Sequence, residues 1–195
     1  MTNTQGKEKN SRLLPPASGR ILIADPFLHD FYFRRSVVLL SDHGDEGTFG
    51  LILNKPVEVR FNEVVKGFPK YNASLYLGGP IKTNNLYFIH TLGNQIEGSM
   101  RVVDGLYWGG DLGQIKDLMA SKQLDDYSVR FFIGYSGWME KQLERELEER
   151  SWVVTSATRQ QLIHSDPVTL WRQMVLTLGS EYTLWANFPT DPMMN

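Results

Sequence analysis

The sequence contains no cysteine, so disulfides, thiolate zinc sites, iron–sulfur clusters and cysteine nucleophiles are excluded by inventory. It has no excess of positive charge. The 20 Lys and Arg side chains stand against 22 Asp and Glu, a net charge of −2 over 195 residues, which supplies no global field attracting nucleic acid. It has no run of about 20 apolar residues, the length a membrane helix requires. The first eighteen residues are polar apart from Leu13-Leu14, too little for the apolar core of an export signal. Metal-ligand spacing is missing as well: His29, His43, His90 and His164 are too widely separated to form a recognisable ligand pair. There is no internal repeat and no long linker.

What is present is an ordinary globular composition, 42% hydrophobic and 22% charged, and a length suited to one domain. The expected organisation is a flexible lead-in over residues 1–18, a single compact domain over 19–180 and an aromatic tail over 181–195. That tail carries Trp185, Phe188, Met193 and Met194. Leaving it in water forfeits about 25 cal/mol per Å² of apolar surface, so it is expected to pack on the body or on a neighbouring chain, which leaves a homo-oligomer open. Cytoplasmic residence is the expected location.

Short apolar runs at residues 20–24, 36–41 and 49–54 read as strands, the second and third pairing across a wet reversing loop at 42–47. Further strands are expected at 75–77, 86–90, 100–103 and 106–108. The last two flank Asp104-Gly105, a two-residue hairpin signal. Asp111 caps a helix over about 112–121, a strand follows at 129–135, and Met139, Leu143 and Leu147 form the stripe of a helix over 139–150. A strand over 151–155 precedes the clearest helix, with Asp166 as N-cap, Pro167 at N1, a stripe through Leu170, Trp171, Met174, Val175 and Leu178, and Gly179 at C′. Strands early and helices in the second half predict a single α+β domain with a mostly antiparallel or mixed sheet.

The most suggestive chemical motif is Gly134-Tyr135-Ser136-Gly137-Trp138, a glycine-flanked serine between strand and helix. A nucleophile elbow needs glycine where Trp138 stands, and neither His90 nor His164 occupies a triad context, so Ser136 reads as a turn residue. Asp42, His43, Asp45 and Glu46 match no calcium loop and read as a solvated turn. His90 ends an apolar strand and reads as a satisfied strand-end histidine. Leu77-Gly78-Gly79-Pro80 is too short for a phosphate cradle, and Pro80 removes a donor. Phe33-Arg34-Arg35 is the densest aromatic and basic cluster, well short of a nucleic-acid footprint.

Taken in order, several segments carry a resemblance: 22–28 (Leu22 through Asp25-Pro26 to Leu28), Phe33-Arg34-Arg35-Ser36-Val37-Val38, Asp42-His43, and Gly50-Leu51-Ile52-Leu53-Asn54-Lys55-Pro56. After these come Gly78-Gly79-Pro80, Phe88-Ile89-His90, Gly134-Tyr135 with Trp138, Gln142-Leu143-Glu144 with Glu146, Trp152 and Trp171. This series resembles the YqgE/AlgH-like family of bacterial proteins over about residues 20–179. The resemblance implies a compact α+β domain with coiled, branching β-sheets. It implies no activity, although some members carry the label of transcriptional regulator. Three positions depart from the family pattern: Asp30 is followed by Phe31-Tyr32 where proline is usual, Ser136 stands where alanine is common, and Lys141 stands where glycine is frequent.

The resulting expectation is a non-enzymatic domain that binds a small molecule or a protein partner. The alternatives are a transcriptional regulator and a hydrolase-like enzyme using Ser136 and His90. No catalytic set, metal or cofactor is assigned. The candidate ligand cleft comprises Asn54, Gly78, Gly79, His90, Trp138 and Gln142, and the competing reading makes these residues punctuation of the fold.

Overall fold

The computed structural model describes residues 14–125 and 127–188. Most of the expected lead-in, and the Met193-Met194 end of the tail, lie outside the described residues. The elements in chain order are β1 (Ile21–Ala24), β2 (Val37–Gly44), β3 (Gly47–Ile52), β4 (Pro56–Arg60), α1 (Phe61–Val64), β5 (Ser74–Leu77), β6 (Ile81–His90), β7 (Met100–Val103) and β8 (Leu106–Trp108). They continue with α2 (Leu112–Ala120), β9 (Val129–Trp138), α3 (Gln142–Glu148), β10 (Trp152–Thr155), α4 (Arg159–His164), α5 (Pro167–Leu176) and α6 (Thr183–Asn187).

The strands form one mixed sheet in the order β10-β1-β2-β3-β9-β6-β8-β7. All neighbours on that path are antiparallel. The exception is β5, which runs parallel to β9 and carries β4 on its other edge. The α+β class and the mixed sheet are as the sequence predicts.

Both faces of the sheet are covered there, which is why β1 and the first half of β2, Val37 to Leu40, are apolar at every position and not at alternate ones. On one face Ile21, Ile23, Val37, Leu39, Leu51 and Phe132 meet Leu162, Leu170, Trp171, Met174 and Val175 from α4 and α5. The other face is divided. Leu22, Val38, Leu40, Trp138 and Trp152 pack with Leu143 of α3, while Leu75, Phe88 and Phe131 pack with Phe61 of α1 and Ile115 and Met119 of α2. A fully buried side chain of this size contributes about 1.5–3 kcal/mol.

β9 joins the two halves, because along one side it pairs first with β5 (Phe131 to Ile133) and then with β3 (Ser136 to Trp138). The sheet forks where these partners diverge. Gly78 fills the fork, its N–H donating to the Ile133 carbonyl and its own carbonyl accepting from Ile52 N–H, both at 2.9 Å. A Cβ on Gly78 would stand 2.3 Å from the Gly134 carbonyl oxygen, and one on Gly79 would stand 2.3 Å from the Tyr135 carbonyl. Gly134 itself has φ +68°, a conformation that favours glycine.

Several boundaries differ from expectation. The hairpin extends to Gly44 and resumes at Gly47, because His43 pairs with Thr48 and their side chains lie 2.7 Å apart, Nδ1 to Oγ1. Only Asp45 and Glu46 make the turn. β9 runs on to Trp138, so α3 starts at Gln142 after a left-handed Lys141 (φ 58°). Met139 is therefore not part of a buried stripe and is 75% exposed. Asp166 caps α5 as expected, accepting from Val168 N–H at 3.0 Å. The helix ends at Leu176, so Gly179 (φ 125°, ψ 174°) lies beyond the cap and not at C′.

Candidate functional site

The six residues of the expected cleft do not share one place. Asn54 is a strap: its Oδ1 accepts from Val37 N–H and its Nδ2 donates to the Arg35 carbonyl, both at 2.8 Å. Gly78 and Gly79 fill the sheet fork. His90 lies at the far end of β6, paired with Val129. Trp138 and Gln142 come together, but around a residue outside the expected set, Glu146. Its carboxylate accepts from Trp138 Nε1 at 2.8 Å, Trp152 Nε1 at 2.8 Å and Gln142 Nε2 at 2.9 Å. Strand register accounts for the dispersal, since motifs adjacent in sequence order enter the sheet at opposite ends.

The register also separates the hydrolase pair. Ser136 is seven residues along β9 from the partner of His90, about 23 Å at roughly 3.3 Å per residue. A proton cannot pass directly between them. Each is also engaged locally: Ser136 is fully buried and donates to the Gly78 carbonyl at 3.0 Å. His90 Nδ1 lies 3.3 Å from Leu92 N–H, which can only donate, so Nε2 carries the proton and donates to the Gly109 carbonyl at 3.2 Å. Burial lowers the His90 pKa from its ordinary 6.5, opposed by the Gly109 bond. Both ring nitrogens are thus engaged by backbone groups near the end of β6.

An open groove of about 520 Å³ lies between the tip of the β2–β3 hairpin and the end of β9. Phe49 and Tyr135 form its floor, their rings stacked at 4.3 Å. Trp108 and Tyr87 continue that aromatic row over β8 and β6, with Trp108 4.6 Å and Tyr87 5.7 Å from Phe49. Tyr135 reaches this face because the backbone at Gly134 departs from regular extended geometry, placing Tyr135 beside the same core as Phe132. Asp42, Asp45 and Glu46 form the rim, and Met139 and Trp138 close one side. Among the described residues none of these three carboxylates pairs with Lys or Arg. No three His, Asp or Glu side chains among the described residues gather closely enough to hold a metal ion. Of the expected cleft, only Trp138 lines this groove. The aromatic floor was legible only as separate strand residues, because its members come from distant positions in the chain.

A second feature is a buried cation on β9. Arg130 is a lone cation in an otherwise apolar strand, and it is almost fully buried. Its guanidinium donates to the Leu162 carbonyl at 2.6 Å and the Leu53 carbonyl at 2.8 Å, and it lies 4.1 Å from the centre of the Tyr76 ring. Burial lowers its pKa, and Tyr76 opposes this. Arg130 thus fastens β9 to the end of β3 and to the last turn of α4, where carbonyls concentrate negative potential. No described helix carries more than one Lys or Arg, so none offers the basic stripe that DNA recognition uses. No described helix is long and apolar enough to cross a membrane.

Comparison with known proteins extends the picture. A family model described as AlgH-like matches residues 21–183. A UPF0301 protein of Bacteroides thetaiotaomicron is 44% identical over 182 residues, covering 92% of each chain. Another from Bacteroides fragilis is 40% identical over 195 residues, covering 99% of this chain and 98% of its own. Among solved structures, a Corynebacterium diphtheriae protein superposes with a TM-score of 0.71 at 26% identity, covering 90% of this chain and 94% of its own. The solution structure of the AlgH protein from Pseudomonas aeruginosa does so with a TM-score of 0.70 at 22% identity, covering 96% and 98%. That last likeness is one of fold.

Proposed function

The chain belongs to the AlgH-like family, and from that premise we propose that it is a cytoplasmic, non-enzymatic binding domain. The observation that carries the reading is the groove, where stacked Phe49 and Tyr135 lie beneath unpaired Asp42, Asp45 and Glu46. Aromatic faces present negative potential and attract cations, and carboxylates at the mouth add to that preference. The arrangement suits a ligand with an apolar body and a positively charged group. It offers no nucleophile next to a base: Ser136 and His90 are committed to carbonyls elsewhere.

Native mass spectrometry of protein purified gently from its own cells tests this reading. The expected result is a mass excess that disappears on denaturation and is absent from an Asp45→Lys variant. A serine-directed fluorophosphonate probe is expected to leave Ser136 unlabelled. Labelling of Ser136, or a native mass without excess in the parent protein, overturns the reading.

A further inference from the structure

The connection between β1 and β2 combines a well-anchored backbone with exposed rings. The Asp25 carboxylate accepts from Phe27 N–H at 2.7 Å, and the Asp30 carboxylate accepts from Tyr32 and Phe33 N–H at 2.8 and 3.0 Å. Phe33 and Leu28 turn inward to the core beneath α3, with Phe33 5.5 Å from Trp152 and 6.0 Å from Trp138. Asn54 straps the end of the loop, and the Arg35 guanidinium stacks 4.6 Å over Trp171. Between these anchors Phe27, Phe31 and Tyr32 remain 60%, 74% and 37% exposed.

Two cations flank the rings. Arg34 is exposed, and the Lys55 ammonium is half-buried, donating to the Arg34 carbonyl at 2.8 Å. Among the described residues neither pairs with a carboxylate. Burial and the neighbouring Arg34 charge both lower the Lys55 pKa, so its ammonium lacks nearby compensation.

We propose that this loop is a docking surface for an acidic segment of a partner protein, with apolar side chains seated on Phe27, Phe31 and Tyr32 and carboxylates facing Arg34 and Lys55. The backbone beneath these rings is fixed before binding, so it loses little conformational freedom on association. Aromatic residues and arginine are also the types that dominate interface energetics. Charge separates this partner from others. A phosphate backbone or an anionic membrane draws on a run of cations, whereas this loop offers two, and Asp25 and Asp30 accept hydrogen bonds from the loop's own N–H groups. A short acidic and apolar segment matches two cations flanking three rings.

The test is fluorescence anisotropy of a labelled peptide alternating Glu with Phe and Leu, titrated with the full chain. The same peptide with Lys in place of Glu, anionic phosphatidylserine vesicles and a single-stranded oligonucleotide serve as competitors. Phe31→Ser and Arg34→Glu are each expected to weaken acidic-peptide binding about tenfold or more. Met100→Ser, which alters an exposed residue on β7, should leave it unchanged. Both loop substitutions are at exposed side chains, so unchanged thermal unfolding confirms that the variants fold. Absence of binding overturns the proposal, as does binding indifferent to both variants or a preference for the Lys peptide, the vesicles or the oligonucleotide. Self-association of the parent chain that Phe31→Ser abolishes also overturns it, and assigns the loop to a second copy.

Discussion

Replacing Glu146 by glutamine gives a direct measure of how the α3 face is held. The carboxylate serves three donors: both indoles on one oxygen and Gln142 on the other. A glutamine oxygen can still face the indoles, but its amide NH2 then faces the Gln142 NH2. Gln142 cannot rotate to relieve this without breaking its bond from Met139 N–H at 3.0 Å. One hydrogen bond is lost, and two charge-assisted bonds become neutral ones, each weaker by about 1 kcal/mol. After allowance for water reaching the half-buried carboxylate, the expected cost is about 2 kcal/mol. For a chain of this length that lowers Tm by about 4–8 °C, measured by circular dichroism and by urea unfolding followed through tryptophan fluorescence. A double-mutant cycle with Trp152→Phe isolates one contact, because the packing cost of the smaller ring cancels. Its expected coupling is about 1 kcal/mol. A Glu146→Gln variant within about 0.5 kcal/mol of the parent, or a coupling of zero, would refute the reasoning.

The fork and the buried histidine give two further predictions. Gly78→Ala should cost about 3 kcal/mol in urea unfolding, because its Cβ meets the Gly134 carbonyl in a packed interior. Gly44→Ala, which meets nothing within 4 Å, should change stability by under about 0.5 kcal/mol. Equal effects would show that the fork is more pliant than its geometry implies. For His90, the unfolded chain takes up a proton first as pH falls, because burial holds the folded imidazole below 6.5. Its contribution to stability is therefore fully present above pH 6.5 and is lost as pH falls from 6.5 toward the lower folded value. In pH-dependent urea titrations, His90→Gln should flatten that interval, and an unchanged slope would contradict the assignment.

Local chemistry was legible where it acts over a few residues. The Asp104-Gly105 turn, the Asp111 cap and the Asp166-Pro167 helix start all occur as the sequence predicts. α1 and α4 were not legible, because Phe61–Val64 and Arg159–His164 are too short to establish a helical period. Met139 fitted an apolar stripe by spacing, yet β9 carries its pairing through Trp138 and delays the helix. For the candidate site, Gly78, Gly79 and Gly134 marked the fork without revealing it, since a fork depends on which strands pair. Phe49, Tyr87, Trp108 and Tyr135 come from four separate strands, and only the order β3-β9-β6-β8 brings them together. Trp138 and Gln142 stood among the cleft candidates, whereas Glu146 stood only in the family series, because nothing in the sequence shows that one carboxylate joins the two.

The pairing of β10 with β1 bears on how the chain is made. Ile21 meets Thr155 and Ala24 meets Trp152, and Trp171 Nε1 donates to the Ala24 carbonyl at 2.9 Å. During synthesis β1 and β2 emerge early, but the outer edge of β1 lacks its neighbour until β10 has left the ribosome. An unpaired apolar strand edge is a template for aggregation. The nascent protein thus passes through a long interval in which its first strand is open on one side, and chains stopped before residue 152 retain that edge. Emergence of β10, more than emergence of the first half of the chain, sets the moment at which β1 gains its second neighbour.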